Sequence, residues 1–367
     1  MSSAEYGAPH GRPSRTVRAS RSGAHRPDHR RRAAGALATA TNGCGTSEPP
    51  EIVALAASLK NDPDLIYGWV YNNVDTIPQY GSLKGPLGAL IDRSGTAFDQ
   101  AELMILLLQQ AGNCTASFEV GEVNVTGAQL AAWLGVDTSL GNNLNGTEVI
   151  LGSNGFPGVV DTNSNGQVLG ATIGWAWVQV EIGGTNYVFD PATLAKYNPT
   201  RAGGLGSALP SALGYTQSTF ISDAESGSTI NATDISGLNR ANIRSDRTTD
   251  ASNLVSYLKT NDPSLGPTDV TDSRTIVALA ANTRQRITSL PYQNGTPTNY
   301  TISTFPASLR TQLTLTVPGA SAVTFFTSDI YGRRLTLDFD SSTVPTLELD
   351  GTTEATGSAE SNGPSLR

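Results

Sequence analysis

Helical periodicity dominates the first third of the chain. Apolar residues at three- and four-residue spacing predict a helix over residues 49–60 and a second helix after Asp62. Asp62 is a favourable N-cap residue, and Pro63 suits the first position of a helix. The next segment, 76–95, is rich in Gly and Pro and predicts a loop of about 20 residues. Loops of this length inside compact domains are usually functional.

The most apolar helix is predicted directly after this loop. Thr96 suits its N-cap, residues 101–108 supply its buried face, and Gly112 ends it. Alternating apolar and polar residues over 116–125 then predict a strand, and Thr126 suits the N-cap of a further short helix. Together these elements indicate an α/β, or α+β, domain.

Extended segments predominate further along the chain. Residues 137–172 are rich in Asn and Gly and predict turns with short strands. Two alternating runs, 173–182 and 187–189, predict a hairpin around the Gly-Gly-Thr-Asn turn between them. From residue 300 the alternation predicts a small antiparallel sheet.

The pattern is weaker between these two β regions. Residues 199–247 are typical of a covering loop or linker, and helices are predicted near 251–258 and 273–287. The chain is thus predicted to have five segments. They are a disordered basic tail at 1–48, the main domain at 49–200, a loop and helical connector at 201–298, a small β domain at 299–352 and a disordered tail at 353–367.

Charge is unevenly distributed, and this restricts the partners of the protein. The net charge is −8, yet residues 1–32 hold eight arginines and only two acidic residues, so the remainder is more acidic than the total suggests. Nucleic-acid binding needs Lys and Arg clustered on a folded face, so we expect no nucleic-acid partner. No apolar run approaches the length of a membrane span.

The basic tail leaves three interpretations open. It is an upstream extension from a misassigned start codon, a targeting segment, or a basic arm. In the whole chain only 15% of residues are charged, because Ser, Thr, Asn and Gly take over the solvating role. This composition is typical of secreted and cell-surface bacterial proteins, so we expect an extracellular or cell-envelope location.

The positions of the histidines and cysteines exclude several kinds of catalytic and metal site. All three histidines lie within the first 29 residues, so residues 30–367 contain none. A Ser-His-Asp or Cys-His-Asp triad and a histidine-ligated metal site are therefore excluded from the folded body. Cys44 and Cys114 show no CxxC or CxxH spacing, so we expect neither a zinc site nor a disulfide framework. We also expect no cofactor.

Three short segments carry the strongest signal for fold and chemistry. They are GTAFDQAELM at 95–104, WAWVQV at 175–180 and YVFDP at 187–191. In this order they resemble the transglutaminase-like superfamily, which has a papain-like fold, over roughly residues 60–198. The resemblance implies that the first segment opens the nucleophile helix and that the second and third carry the catalytic histidine and aspartate.

The resemblance also implies that the catalytic triad is degenerate. By this register Ala97 stands at the place of the cysteine and Trp175 at the place of the histidine, and only Asp190 keeps its type. Ala97 offers no nucleophile, and an indole has no basic site at neutral pH. Cys114 lies beyond the other end of the helix, roughly 20 Å away, so it is not expected to replace the thiol.

Two further phrases narrow the resemblance to one branch of the superfamily. IYGWVYNNV and QYGSLKG are similar to segments of transglutaminase-like domains in large bacterial surface and secreted proteins, some of them Rhs-associated YD-repeat proteins. In that branch the cysteine is commonly absent as well. The missing thiol is thus expected to be a feature of the branch.

Six residues near the matched positions are candidates for a ligand pocket. They are Phe98, Asp99, Gln100, Glu102, Trp177 and Tyr80. The alternative for Asp99 and Gln100 is a solvated first helical turn, in which Asp99 only favours the helix dipole. The alternative for Trp175 and Trp177, which point to the same face of a strand, is core packing. Tyr80 has the alternative of an ordinary surface-loop position.

A calcium-loop pattern is present but incomplete. Asp161, Asn163 and Asn165 match the first ligands of such a loop, whereas its twelfth position holds Thr172 in place of a bidentate Glu. A turn rich in Asn and Gly accounts for the pattern better, so we expect no metal site.

These observations favour a non-catalytic function. We expect a transglutaminase-like pseudoenzyme that acts as a peptide-binding or structural module, with a polypeptide or the rest of a larger surface protein as partner. The alternative is an active amide-bond hydrolase or transferase that uses the carboxylates of Asp99, Glu102 and Asp190.

Overall fold

The computed structural model describes residues 43–45, 48–136, 138, 144–198, 214, 216–261, 263, 274–280 and 283–359. Most of the predicted basic tail, at 1–42, and the last eight residues of the predicted C-terminal tail lie outside these ranges. The described residues form helices and mostly antiparallel sheets, which confirms a mixed α+β class.

Four helices form the N-terminal part of the fold. Asp62 caps the second of them by accepting the backbone N–H groups of Asp64 and Leu65, as its sequence predicts. The four helices are α1 (Pro50–Ser58), α2 (Pro63–Asn73), α3 (Gly85–Asp92) and α4 (Ala97–Gln110).

Helix α3 corrects the predicted long loop at 76–95. Two short strands flank this helix and pair in parallel, namely β1 (Asp75–Thr76) and β2 (Ser94–Gly95). Gly85 and Pro86, two of the residues that suggested a loop, begin this helix, and Pro is tolerated there because its missing N–H has no intrahelical partner.

A five-stranded antiparallel sheet lies against α4. Its strands follow the order β4-β5-β3-β9, and β6 pairs with the far end of β5. They are β3 (Ser117–Thr126), β4 (Gly158–Thr162), β5 (Val168–Ile182), β6 (Thr185–Phe189) and β9 (Gln293–Tyr300). The predicted hairpin is confirmed, with a two-residue turn at Gly183 and Gly184, whose φ angles are 63° and 82°.

Both faces of β5 are buried because its side chains alternate between two apolar clusters. Ala176, Val178 and Val180 pack with α2 and α4. Trp175 and Trp177 belong to the second cluster, which α5 (Gly127–Leu134) helps to cover. The predicted Thr126 N-cap of α5 is confirmed, since its hydroxyl accepts the Gln129 N–H.

The segment at 273–287 is not the predicted helix. Its described parts, 274–280 and 283–287, are extended and border the core. Ile276 forms an isolated antiparallel β-bridge with Tyr197, and Ile287 forms one with Val188. The Leu279 N–H donates a hydrogen bond to the Asn72 side-chain oxygen. These long-range hydrogen bonds replace the local helical ones that the apolar pattern suggested.

The middle of the chain contains more helix than the sequence predicts. Helix α6 (Leu144–Ser153) lies in the segment predicted to hold turns and strands, and α7 (Gln217–Glu225) in the predicted loop at 199–247. Helix α8 (Arg240–Asn261) contains the predicted 251–258 helix. Between α7 and α8 runs a short hairpin of β7 (Thr229–Ile230) and β8 (Ile235–Ser236).

The C-terminal part is antiparallel, as predicted from the alternation, but it forms two small sheets in place of one. One pairs β10 (Gln312–Leu315) with β11 (Val323–Phe326), and a helical turn, α9 (Thr327–Ile330), follows. The other contains β12 (Leu335–Phe339), β13 (Pro345–Leu349) and β14 (Thr352–Thr356). Strand β14 extends into the segment predicted to be disordered, and β9 begins inside the predicted connector.

A disulfide corrects the cysteine prediction. Cys44 and Cys114 are bonded although 70 positions separate them in the chain, with their Cα atoms 5.2 Å apart. The sequence carries no spacing signal for this pair because only the fold brings the two residues together. Within the described residues, no helix combines the length and apolar character that a membrane span requires.

Candidate functional site

The N-terminus of α4 is the structural counterpart of the predicted nucleophile turn. Thr96 and Asp99 form a capping box, in which the Asp99 N–H donates to the Thr96 Oγ1 and the Thr96 N–H to the Asp99 Oδ2, both at 3.1 Å. Ala97 is the first helical residue and is 3% exposed. The helix start is therefore well formed, but its first side chain is a buried methyl group.

Trp175 and Asp190, the other two matched positions, contact each other. The Trp175 Nε1–H donates to both carboxylate oxygens of Asp190, at 3.3 and 3.2 Å. The Tyr292 hydroxyl donates to Oδ2 at 2.8 Å, and the Ala192 N–H donates to Oδ1 at 3.0 Å. Burial raises the pKa of Asp190 to about 6, although these hydrogen bonds favour its charged form.

The space in front of Ala97 is closed by aromatic side chains. Trp175 is 1% exposed and belongs to the same apolar cluster as Ala97. Its ring packs edge-on against Trp133, with centroids 5.7 Å apart, and stacks on Phe156 at 6.3 Å. The cavity beside Trp175, Asp190 and Tyr292 measures about 10 Å³. This is room for about one water molecule and for no substrate side chain.

Asp99 is buried, which corrects the expectation of a solvated first turn. Besides capping α4, its Oδ1 accepts hydrogen bonds from the segment that precedes α3. The donors are the Ser82 hydroxyl and the backbone N–H groups of Leu83, Lys84 and Gly85, at 2.8 to 3.2 Å. Burial raises the pKa of Asp99, and the hydrogen bonds oppose that rise. The carboxylate thus ties this segment to α4.

Gln100 is likewise buried and fully bonded. Its Nε2 donates to the Thr76 Oγ1 and the Gly95 carbonyl oxygen, both at 3.0 Å. Its Oε1 accepts a hydrogen bond from the Lys196 Nζ at 3.2 Å. Lys196 has no exposed surface, and burial lowers its pKa to about 7. This pair was not predictable from sequence patterns, because 96 residues separate its members.

Tyr80, Phe98 and Trp177 pack inside the protein. Phe98 and Trp177 are at most 1% exposed, and Tyr80 packs edge-on against Phe98 with centroids 5.0 Å apart. The indole N–H of Trp177 is buried and lacks a hydrogen-bond partner among the described residues. Core packing, the alternative to a ligand pocket for Trp177, therefore describes Trp177 and Phe98, and Tyr80 is half-buried against the core in place of an ordinary surface-loop position.

Glu102 is hydrogen-bonded to neither Asp99 nor Asp190 among the described residues, and it lines a groove. The groove measures about 760 Å³ and is also lined by Glu48, Glu181 and the Asn186 and Asn299 amides. Within the described residues Glu102 accepts no hydrogen bond, and burial raises its pKa to about 8. The Asp99 carboxylate accepts hydrogen bonds from the segment before α3, and the Asp190 carboxylate accepts them from Trp175 and Tyr292. The three carboxylates of the predicted rival site are thus not hydrogen-bonded to one another.

The predicted calcium loop is a turn between β4 and β5. The Asn163 Oδ1 accepts the backbone N–H groups of Asn165 and Gln167, so this oxygen is occupied inside the turn. Asp161 belongs to β4 and pairs with Gly170. Among the described residues there is no cluster of three or more His, Cys, Asp or Glu side chains that could hold a metal ion.

No protein-family model, curated protein or solved structure matches this chain.

Proposed function

We propose that this chain is a transglutaminase-like module with a papain-like core that has lost catalysis and serves as a structural part of a bacterial secreted or surface protein. The observation that carries the proposal is the closed space in front of Ala97. A nucleophile site needs a thiol, a base and room for an amide, whereas here a buried methyl group lies in one apolar cluster with a buried indole that is hydrogen-bonded to Asp190.

The arrangement of elements supports the papain-like part of the proposal. In that fold the nucleophile begins a helix that packs on an antiparallel sheet, and its partners lie on neighbouring strands. Ala97 begins α4, Trp175 lies on β5, and Asp190 directly follows β6, which pairs with β5. The disulfide supports an oxidising compartment, such as the cell envelope or the exterior, since disulfides rarely persist in a reducing cytosol.

Incubation with glutaminyl and lysyl peptides tests the loss of catalysis. Mass spectrometry would detect deamidation, crosslinking or cleavage of the peptides. We expect none above the level of a protein-free sample. Turnover that disappears in Asp190→Asn but persists in the surface control Asp161→Asn would overturn the proposal, because it would show that the buried carboxylate supports chemistry.

A binding role has its own support in the groove beside Glu102. Its volume is within the usual range for ligand pockets, and its lining residues include three carboxylates and no Lys or Arg. A cationic segment of a polypeptide is therefore the favoured occupant. Titration with an oligolysine peptide tests this role, and Glu181→Gln, which removes an exposed carboxylate of the groove, should weaken binding more than Glu51→Gln on the exposed face of α1. Equal binding by the two variants would count against the groove.

A further inference from the structure

A lysine amine and a glutamine carboxamide meet inside the protein. Lys196 and Gln100 have no exposed surface, and the Lys196 Nζ lies 3.2 Å from the Gln100 Oε1. Lys196 belongs to a 3-10 turn after Asp190, whereas Gln100 belongs to the first turn of α4. Reactive groups that the fold holds at this distance gain from proximity, because no encounter with a second molecule is needed.

We propose that Lys196 and Gln100 form an intramolecular Nε-(γ-glutamyl)lysine crosslink. The Nζ of Lys196 bonds to the Cδ of Gln100, and the bond between Cδ and Nε2 breaks. One proton moves from Nζ to the departing nitrogen, which leaves as ammonia. The atoms balance without an oxidant, a reductant or a co-reactant. The reaction needs no external substrate, so it does not depend on the function proposed above.

The hydrogen bonds of Lys196 allow its amine to act as a nucleophile. Nζ donates to the carbonyl oxygens of Val74 at 2.7 Å and Pro191 at 3.0 Å, and Gln100 is its third partner. A neutral amine has two hydrogens and one lone pair. The two closer carbonyls retain the hydrogens after deprotonation, so the lone pair is left on the side of Gln100, whose Cδ is bonded to the Oε1 that Nζ contacts.

The surroundings of Lys196 supply the neutral amine near neutral pH. Burial lowers its pKa to about 7, and Arg274 acts in the same direction, whereas Asp75 and Asp190 act against it. The rings of Tyr71 and Tyr197 lie 5.9 and 5.6 Å from Nζ and exclude water. The amine is therefore expected to react faster as the pH rises above about 7.

The carboxamide is held in one orientation by its own hydrogen bonds. Its departing nitrogen, Nε2, donates to the Thr76 hydroxyl oxygen at 3.0 Å, and that hydroxyl in turn donates to the Ala192 carbonyl oxygen at 3.3 Å. Loss of ammonia removes a donor from the Gly95 carbonyl, but that oxygen also accepts the Ile77 N–H at 2.9 Å. The crosslinked state thus leaves Gly95 bonded.

Tryptic mass mapping of the full, folded chain tests the crosslink. No Lys or Arg lies between Arg93 and Lys196, and trypsin cleaves after Lys196 only when its side chain is free. We expect protein kept folded at about pH 9, above the Lys196 pKa, to resist cleavage after Lys196. The peptide should then extend to Arg201, with a mass lower by one ammonia. A second digestion at Glu102 should yield a branched peptide that joins Gln100 to Lys196.

Two features keep the readout specific. A succinimide at Asn145-Gly146, Asn154-Gly155 or Asn165-Gly166 also releases ammonia, but it leaves Lys196 open to trypsin. Lys196→Arg should abolish the crosslink, whereas Gln100→Glu should lose water and give a product of the same mass as the wild type. Complete cleavage after Lys196 and an unshifted mass in the wild-type protein would overturn the proposal, and this result needs no variant that folds.

Discussion

At the scale of single residues, burial changes the role of polar side chains that the sequence places near the helix start. Thr96 was identifiable as an N-cap because its position before an apolar run is a local signal. The second partner set of Asp99, the segment before α3, was not identifiable, because it depends on how the chain folds back. Local capping chemistry is thus predictable from sequence, whereas long-range hydrogen bonds are not.

We predict that Asp99→Asn lowers the free energy of unfolding by about 2 to 4 kcal/mol. The amide keeps one acceptor oxygen but turns an NH₂ group towards backbone N–H donors, which leaves buried groups unsatisfied. Urea denaturation measures the change, and Asp161→Asn, at an exposed position, is the matched control. An effect no larger than that of the control would show that the carboxylate does not hold the segment before α3.

We predict that Glu102→Gln stabilises the protein in a pH-dependent way. The folded pKa is raised from 4.5 to about 8, so between these values the folded protein keeps a proton that the unfolded chain loses. The free energy of unfolding therefore falls as the pH rises through this window. The Gln side chain of the variant does not ionise, so the variant does not lose this stability. Because Glu102 is only partly buried, we expect a gain of about 1 to 2 kcal/mol at pH 8 and none near pH 4.

Thermal unfolding of the Glu102 variant across this pH range gives the measurement. Glu51→Gln on α1 is the control, since Glu51 is exposed and should show no such dependence. A gain for Glu102→Gln that is equal at pH 4 and pH 8 would contradict the raised pKa.

At the scale of elements, the apolar pattern predicted α1, α2, α4, β3 and the β5–β6 hairpin. These elements have regular periodicity and their own caps or turns. Helix α3 was missed because its Gly and Pro residues outweighed a short apolar pattern. The helix predicted at 273–287 was wrong. In the fold this segment forms β-bridges with Tyr197 and Val188, and such non-local pairing leaves no signal in the sequence pattern. Tertiary hydrogen bonds override propensity at such places.

The disulfide between Cys44 and Cys114 gives a prediction at this scale. It joins the segment before α1 to the end of α4 and closes a loop of 70 residues. We expect the double variant Cys44→Ser, Cys114→Ser to lose about 4 kcal/mol at most, from the chain-entropy estimate for that loop length. Denaturation of the wild type with and without a reductant measures the same quantity. Unchanged stability on reduction would show that the loop is restrained by other contacts.

At the scale of the whole molecule, the residues that flank the β10–β11 sheet contact the segment that Asp99 holds. Ser82 forms an isolated parallel β-bridge with Arg310, and the Thr327 hydroxyl donates a hydrogen bond to the Leu83 carbonyl oxygen. A Cβ on Gly85, whose φ is 66°, would lie 2.7 Å from the Ser328 side chain. The start of α4, the preceding segment and the residues that flank the β10–β11 sheet therefore pack together, which suits a structural module better than an open cleft.

The reactivity of a thiol introduced by Ala97→Cys tests most directly whether the cleft is closed. The native disulfide does not react with iodoacetamide, so the new thiol is the one that labelling reports. We predict labelling of the folded protein at least about tenfold slower than for Thr185→Cys, an exposed control, because a thiol buried in apolar surroundings is inert. Labelling at the rate of the control would show an open cleft in front of Ala97 and contradict the proposed loss of the site.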